Sequence, residues 1–146
     1  MRVDFYRLSR DTAENAVALL ARKSVEADKR VLVVAEGRAR LEQLSKTLWD
    51  SAPAAFLANG FAGDVGAAHQ PILLAESVDH ANAAQFAIIA DGQWRDPGNA
   101  FDRVMLVFDD ATIEAARGTW RTLGEDAAIE RHFWKQDDTG RWVEGP

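Results

Sequence analysis

Hydrophobic residues in this chain occur as short continuous runs, separated by longer stretches in which they recur at helical spacing. The runs have the length of strands. Wholly apolar runs are typical of strands that are covered on both faces of a parallel sheet. These runs predict strands over residues 30–35, 71–75, 86–90 and 102–108, and the alternation of residues 3–8, which include Phe5 and Tyr6, predicts a further strand.

Three longer stretches have the spacing of amphipathic helices. Residues 11–14 resemble a capping box, in which Asp11 accepts hydrogen bonds from the first backbone N–H groups. Pro53 and Gly124 are expected to follow the ends of the second and third helices. The predicted helices cover residues 11–28, 41–50 and 109–123. The first helix should bury a stripe made of Ala13, Ala16, Val17, Leu20, Ala21 and Ser24.

The remaining segments complete the predicted fold. Residues 51–70 are rich in glycine and alanine and are expected to form a loop, whereas two aromatic runs around residues 136–140 predict a terminal β-hairpin. Strands that alternate with helices indicate an α/β fold. We expect one domain over residues 1–146, with a Rossmann-like, mainly parallel sheet flanked by helices and a C-terminal β-hairpin.

Composition limits the classes of protein to which the chain can belong. It has 47% hydrophobic and 27% charged residues and no cysteine, which is ordinary for a globular protein and excludes disulfides and thiol chemistry. The first residues contain no apolar segment of the kind found in secretory signals. No run approaches the roughly 20 apolar residues of a membrane span, so we expect a cytoplasmic protein.

Charge is distributed unevenly along the chain. Residues 1–50 hold ten Lys and Arg against eight Asp and Glu, whereas residues 51–146 hold seven against fifteen. Such an acidic surface should repel phosphate backbones, so we expect no direct binding to nucleic acid. A local basic patch that includes Arg22, Lys23, Lys29 and Arg30 remains open as an exception.

The sequence lacks the loops that normally bind nucleotide phosphates in α/β proteins. The predicted turn from the first strand to the first helix, residues 8–12, has no glycine, and neither a G-x-G-x-x-G nor a Walker-type motif occurs. We therefore expect no nucleotide site and no bound cofactor.

Candidate catalytic residues are few. Asp91 follows an apolar strand, at the position where α/β enzymes often carry a carboxylate, and His80 lies in a nearby predicted loop. No second histidine has a spacing that would complete a zinc site with His80, and no G-x-S-x-G motif is present. We expect neither a catalytic nor a metal site, although an enzyme that uses Asp91 and His80 stays open as an alternative.

The third predicted helix carries the clearest binding pattern. Arg117, Trp120 and Arg121 fall within an arc of about 100°, together with Ile113, and Gly118 and Gly124 leave space beside them. Guanidinium groups pair with carboxylates, and an aromatic wall accepts an apolar side chain. This face suits an acidic peptide. The alternative is that Trp120 belongs to the core and Arg117 pairs with Glu114 or Glu125.

The order of these segments resembles the chi subunit family of bacterial DNA polymerase III. The resemblance spans nearly the whole chain in collinear order. It is carried by Val3–Leu8, Lys29–Val33, Leu48–Asp50, Phe56–Leu57, Gln70–Leu74, Phe101–Val104 and Ala115–Arg121. A departure follows Leu57, where the family often has Pro-His-Gly-Leu and this chain has Ala58-Asn59-Gly60-Phe61.

The resemblance implies a Rossmann-like accessory protein without an active site of its own. Members of the family bind the acidic, Phe-ended C-terminal tail of single-stranded DNA-binding protein and thereby link it to the clamp-loader assembly. Arg117, Trp120 and Arg121 match the family's tail-binding residues. In some bacteria chi also binds a small subunit called psi. A structural domain whose partner binds through an exposed aromatic hairpin remains a third interpretation.

Overall fold

The computed structural model describes residues 1–51 and 57–145. The described strands are β1 (Arg2–Arg7), β2 (Val31–Val34), β3 (Asn59–Phe61), β4 (Ile72–Ala75), β5 (Phe86–Ile89), β6 (Arg103–Phe108), β7 (Glu130–Gln136) and β8 (Trp142–Glu144). The described helices are α1 (Ala13–Glu26), α2 (Arg38–Ser51) and α3 (Ile113–Leu123), with a turn of 3₁₀ helix at Ala67–His69. None of these helices has both the length and the apolar character needed to cross a membrane.

All eight strands belong to one sheet, in the order β3-β4-β2-β5-β6-β1-β7-β8. Every neighbouring pair is parallel except β7 and β8, which form an antiparallel hairpin. The predicted α/β fold, with its mainly parallel sheet and C-terminal hairpin, is therefore confirmed. Four adjacent strands, in the order β4-β2-β5-β6, are almost wholly buried, as their apolar runs predicted.

Helices cover both faces of the sheet. The core on one face contains α1, α2 and the side chain of Tyr6, and the core on the other face contains α3 and the side chains of Val3 and Phe5. Because side chains alternate along a strand, β1 supplies residues to both cores in turn. The predicted stripe of α1 is buried from Ala16 to Ser24, and Ala13 at its start is half-buried.

Several predicted boundaries differ from the structure; α2, for example, begins at Arg38 rather than at residue 41. Residues 51–70 were expected to form a loop but contain β3 and the 3₁₀ turn, because three residues of an edge strand are too short to show a pattern. The N-cap of α1 is Thr12 rather than Asp11, since the Thr12 hydroxyl accepts from the Asn15 N–H. Helix α3 begins at Ile113, three or four residues later than predicted. Pro53 lies outside the described residues, as does Phe56.

The delay in α3 has a local cause. The carboxylate of Asp109 accepts hydrogen bonds from the Ala111 and Thr112 N–H groups, at 3.0 and 3.2 Å, and from the Thr112 hydroxyl. This Asx-type turn satisfies the backbone in a non-helical conformation and postpones the helix by one turn.

The turn between β1 and α1 is held by a side chain from the other end of the chain. The amide oxygen of Gln136 accepts hydrogen bonds from the backbone N–H groups of Ser9, Arg10 and Asp11, at 3.2, 2.9 and 3.2 Å. The amide nitrogen of Gln136 donates to the Asp11 carboxylate and to the Gly140 carbonyl. Three N–H groups that converge on one point form an anion-binding concavity in many proteins, and here the point is filled.

Asp4 is completely buried in the sheet and carries the charge at the centre of a polar cluster. It accepts hydrogen bonds from Arg2, from Arg103 at 2.7 Å and from the Trp134 indole at 2.8 Å. Burial by itself would raise the pKa of Asp4, but these donors outweigh it and the pKa lies below its usual value. Burial raises the pKa of the neighbouring Tyr6 to about 12.

The aromatic side chains of the hairpin fold back on the sheet. Trp134 stacks on Tyr6 with ring centroids 5.9 Å apart, and Trp142 meets Tyr6 edge-on at 5.3 Å. Both tryptophans are half-buried and pack against the α1 core. The hairpin tryptophans are therefore partly covered by the sheet rather than fully exposed as the third interpretation assumed.

Candidate functional site

Helix α3 lies on the sheet through a narrow apolar stripe. Ala116 is buried, and Ile113, Trp120 and Leu123 are half-buried against the same core. These four positions are spaced for one face of a helix. Trp120 thus belongs to the stripe that faces the sheet, whereas Arg117 and Arg121 are exposed beside it.

A cavity of about 260 Å³ opens between α3 and the neighbouring strands β1, β6 and β7. Its apolar lining consists of Phe5, Phe108, Ile113, Ala116, Trp120 and Phe133. Trp120 meets Phe5 edge-on, with ring centroids 5.0 Å apart, so its ring forms one wall of the cavity while also packing on the core. The structure therefore supports both interpretations of Trp120: it is partly core and partly cavity wall.

Two arginines line the same cavity, Arg117 from α3 and Arg7 from the end of β1. Each is paired with an exposed carboxylate: Arg117 with Glu114 at 2.8 Å, and Arg7 with Asp110 at 3.1 Å. The carboxylate side chains are 80% and 84% exposed, respectively. Exposed ion pairs of this kind contribute at most about 1 kcal/mol. A carboxylate of a ligand can replace either partner at little cost.

Arg121, the third predicted residue, does not line the cavity. Its side chain is exposed and lies along α3 next to Gly118, where one guanidinium nitrogen is 4.0 Å from the position of an added Cβ. It forms no hydrogen bond or ion pair with any described residue. The structure therefore joins Arg117 and Trp120 in one cavity and leaves Arg121 as a free cation further along the same helix.

The space beside Gly124 is taken by a residue that the sequence pattern did not reveal. A Cβ at Gly124 would lie 2.7 Å from the guanidinium of Arg131. That guanidinium lies over the Trp120 ring, 4.3 Å from the centroid, and donates to the Trp120 carbonyl at 2.7 Å. Gly124 thus makes room for Arg131, which fixes the orientation of the Trp120 indole, and not for a ligand.

Sequence reasoning also missed Arg7, Phe108 and Phe133. The alternation of β1 does place Phe5 and Arg7 on one face, which is a signal in the sequence. Phe133 of β7, however, lies directly opposite Phe5 of β1 in the register of this parallel pair. That register depends on the strand order, which periodicity does not provide.

Asp91 and His80 are not brought together. Asp91 follows the carboxyl end of β5, whereas His80 precedes the amino end of the same strand and contacts the ring of Phe101. Asp91 accepts hydrogen bonds from Arg95 at 2.8 Å and from the N–H groups of Glu36 and Gln93. Burial alone would raise the pKa of Asp91, but these bonds outweigh it and the pKa is lowered. This arrangement is that of a structural carboxylate.

The residue at the departure from the family pattern is also structural. Asn59 is buried, accepts a hydrogen bond from the Ser45 hydroxyl and donates to the Leu57 carbonyl at 2.9 Å. It therefore ties β3 to α2 and presents no free polar group. Within residues 1–51 and 57–145, no three His, Asp or Glu side chains are grouped so that they could hold a metal ion.

A comparison with family models and with curated proteins bears on these observations. The model of the DNA polymerase III chi subunit, HolC, matches residues 1–137. The curated proteins give no match. The family match covers β1 to β7, and thus includes α3 and every residue that lines the cavity. The chain belongs to the DNA polymerase III chi subunit family.

Proposed function

We propose that this protein is a non-catalytic accessory subunit of the DNA polymerase III assembly, and that it binds the acidic, Phe-ended tail of single-stranded DNA-binding protein. The observation that carries the proposal is the cavity beside α3, which combines an apolar lining with Arg7 and Arg117. Through this contact the subunit would link the clamp-loader assembly to DNA that is coated with single-stranded DNA-binding protein in the cytoplasm. In some bacteria the psi subunit would take part in that link.

The chemistry of the cavity fits such a tail in two ways. Three phenylalanine rings line it and are suited to accept a terminal phenylalanine by edge-to-face contact. Arg7 and Arg117 then pair with the carboxylates next to that ring, and Arg121 lies on the same helix for acidic residues further back in the tail. A guanidinium can bind a carboxylate with two parallel hydrogen bonds, which adds direction to the charge attraction.

The enzymatic alternative has less support. Asp91 is fully engaged by Arg95 and two backbone N–H groups, and His80 lies at the opposite edge of the sheet. A general base must reach both a substrate and its partner groups within hydrogen-bond distance. The pair does not meet that geometric condition.

Fluorescence anisotropy of a labelled acidic peptide that ends in Phe tests the proposal. We expect the wild type to bind and Arg117→Glu to lose most of the affinity. The matched control is Arg22→Glu, because Arg22 is also a helix arginine paired with a glutamate, but it lies on α1 at the other face of the sheet. Equal binding by wild type and Arg117→Glu, or equal loss in both variants, would refute the proposed site.

A further inference from the structure

A second groove lies on the face of the sheet opposite α3, between α1 and the β7–β8 hairpin. It has a volume of about 410 Å³. Four aromatic residues line it: Tyr6, Phe86, Trp134 and Trp142. The tail site proposed above shares no lining residue with this groove.

The groove is positively charged although the chain as a whole carries a net charge of −6. Arg2, Lys23 and Arg103 line it, and among the described residues no acidic side chain does. Lys29 adds a further cation nearby, with its ammonium 5.9 Å from the centroid of the Phe86 ring. Asp4 lies buried beneath the groove and neutralises only part of this charge.

The two arginines are held in fixed positions. Arg2 donates to Asp4 through Nε and one terminal nitrogen, and Arg103 donates to Asp4 through Nε and to the Tyr6 hydroxyl through Nη2. Their forks are thus already occupied, and Nη1 of each makes no hydrogen bond to a described residue. A group that needs one donor at each arginine, such as a phosphate oxygen, fits this arrangement better than a carboxylate that needs the whole fork.

From this combination we propose that the groove binds single-stranded nucleic acid, with bases against the half-buried rings of Phe86, Trp134 and Trp142 and phosphates near Lys23, Arg2 and Arg103. Fixed cations along a groove with aromatic side chains are the usual means by which proteins bind single strands without sequence preference. The proposal departs from the expectation drawn from total charge, because no acidic side chain among the described residues lines the groove. The groove includes or adjoins two residues of the local basic patch considered in the sequence analysis, namely Lys23 and Lys29.

Anisotropy of a labelled oligo(dT) of about 10 nucleotides tests the proposal. At about 50 mM salt we expect binding that weakens as salt increases. The logarithm of the association constant should fall against the logarithm of the salt concentration with a slope near −2, for about three phosphate contacts. Lys23→Glu should reduce the affinity at least about tenfold. Lys46→Glu is the matched control, because Lys46 is an exposed helix lysine that does not line the groove. Arg117→Glu, on the opposite face, should also bind oligo(dT) as the wild type does.

The aromatic contribution needs a separate pair of variants. Trp142→Ala should weaken oligo(dT) binding at least about fivefold, whereas Trp142→Phe should retain most of the affinity. Melting temperatures identify any loss that comes from unfolding, and Lys23→Glu remains informative even if Trp142→Ala does not fold. No binding of oligo(dT) at low salt, or an equal loss in Lys23→Glu and Lys46→Glu, overturns the proposal. Lys23-dependent binding of an acidic peptide without binding of oligo(dT) overturns it in favour of a protein partner.

Discussion

The guanidinium of Arg131 lies over the indole of Trp120, 4.3 Å from the ring centroid, and donates a hydrogen bond to the Trp120 carbonyl at 2.7 Å. One residue of β7 therefore determines how the main aromatic wall of the cavity is presented.

The contact predicts that Arg131→Ala will lower both the stability of the fold, by about 1 kcal/mol, and the affinity for an acidic Phe-ended peptide. Denaturant unfolding and peptide anisotropy measure the two effects. Arg131→Lys should not restore the affinity, because an ammonium lacks the planar surface that stacks on the indole. Full rescue by lysine would show that charge alone is needed.

Arg121→Glu tests the free cation of α3. We expect this variant to lose most of its affinity for the acidic tail, since attraction becomes like-charge repulsion, while its melting temperature stays close to that of the wild type. Thr122→Glu is a matched control on the same helix, because Thr122 is also exposed. This substitution introduces a glutamate without removing the Arg121 cation. If Arg121→Glu binds as Thr122→Glu does, Arg121 has no part in the site.

Trp120→Ala should affect binding and folding together. Loss of the cavity wall is expected to weaken tail binding by about 2 kcal/mol or more. Loss of its contacts with Phe5 and the core should destabilise the fold by about 3 kcal/mol. Binding measured well below the melting temperature separates the two effects. A variant that loses stability but binds the tail normally would assign Trp120 to the core alone.

Asp4→Asn should destabilise the fold. The change removes the buried carboxylate that Arg2 and Arg103 share, and because these two side chains are 37% and 24% exposed, we expect a loss of about 2 to 3 kcal/mol. The lowered pKa of Asp4 also means that its contribution is present above the unfolded pKa and is lost as pH falls through the folded pKa. Urea unfolding at several pH values checks both statements. A loss below 1 kcal/mol would mean that the cluster does not stabilise the fold.

The raised pKa of His132 predicts a pH dependence of stability opposite to that of Asp4. Its hydrogen bond to Glu144, at 2.6 Å, and the nearby Glu130 raise the pKa of the imidazole. A group whose pKa is raised in the folded state contributes its full stabilisation at pH values below its unfolded pKa, which is about 6.5 for histidine. This contribution is lost as the pH rises through the folded pKa. We expect His132→Asn to remove that part of the pH dependence in thermal melts. An identical pH profile in wild type and variant would exclude the pair as its source.

Much of the fold follows from sequence because buried strands and amphipathic helices repeat at fixed periods. Residues 31–35 and 71–75 are apolar throughout, and the strands β2 and β4 that they contain lie inside the sheet, as that pattern predicts. The three-residue strand β3 carries no such pattern and was missed. The start of α3 was also missed, since the Asx turn at Asp109 uses the same acidic residues that favour a helix N-terminus.

The site was predictable only as far as it lies within one helix. Arg117 and Trp120 share the α3 arc, and a single element is sufficient to indicate them. Arg7 and Phe133 join the cavity through the order and register of β1 and β7, and no local period encodes those. Arg131 was hidden for the same reason, because its contact with Trp120 joins two elements.

The Gln136 side chain occupies the turn at which Rossmann-like sheets commonly bind a phosphate. Its amide oxygen holds the N–H groups of Ser9, Arg10 and Asp11, which follow the first strand where a nucleotide phosphate would sit. Because this oxygen belongs to the same chain, its effective concentration at the turn is of the order of millimolar or higher. A free phosphate would have to compete with a ligand that never diffuses away. The turn therefore resembles a binding site whose ligand is part of the same chain.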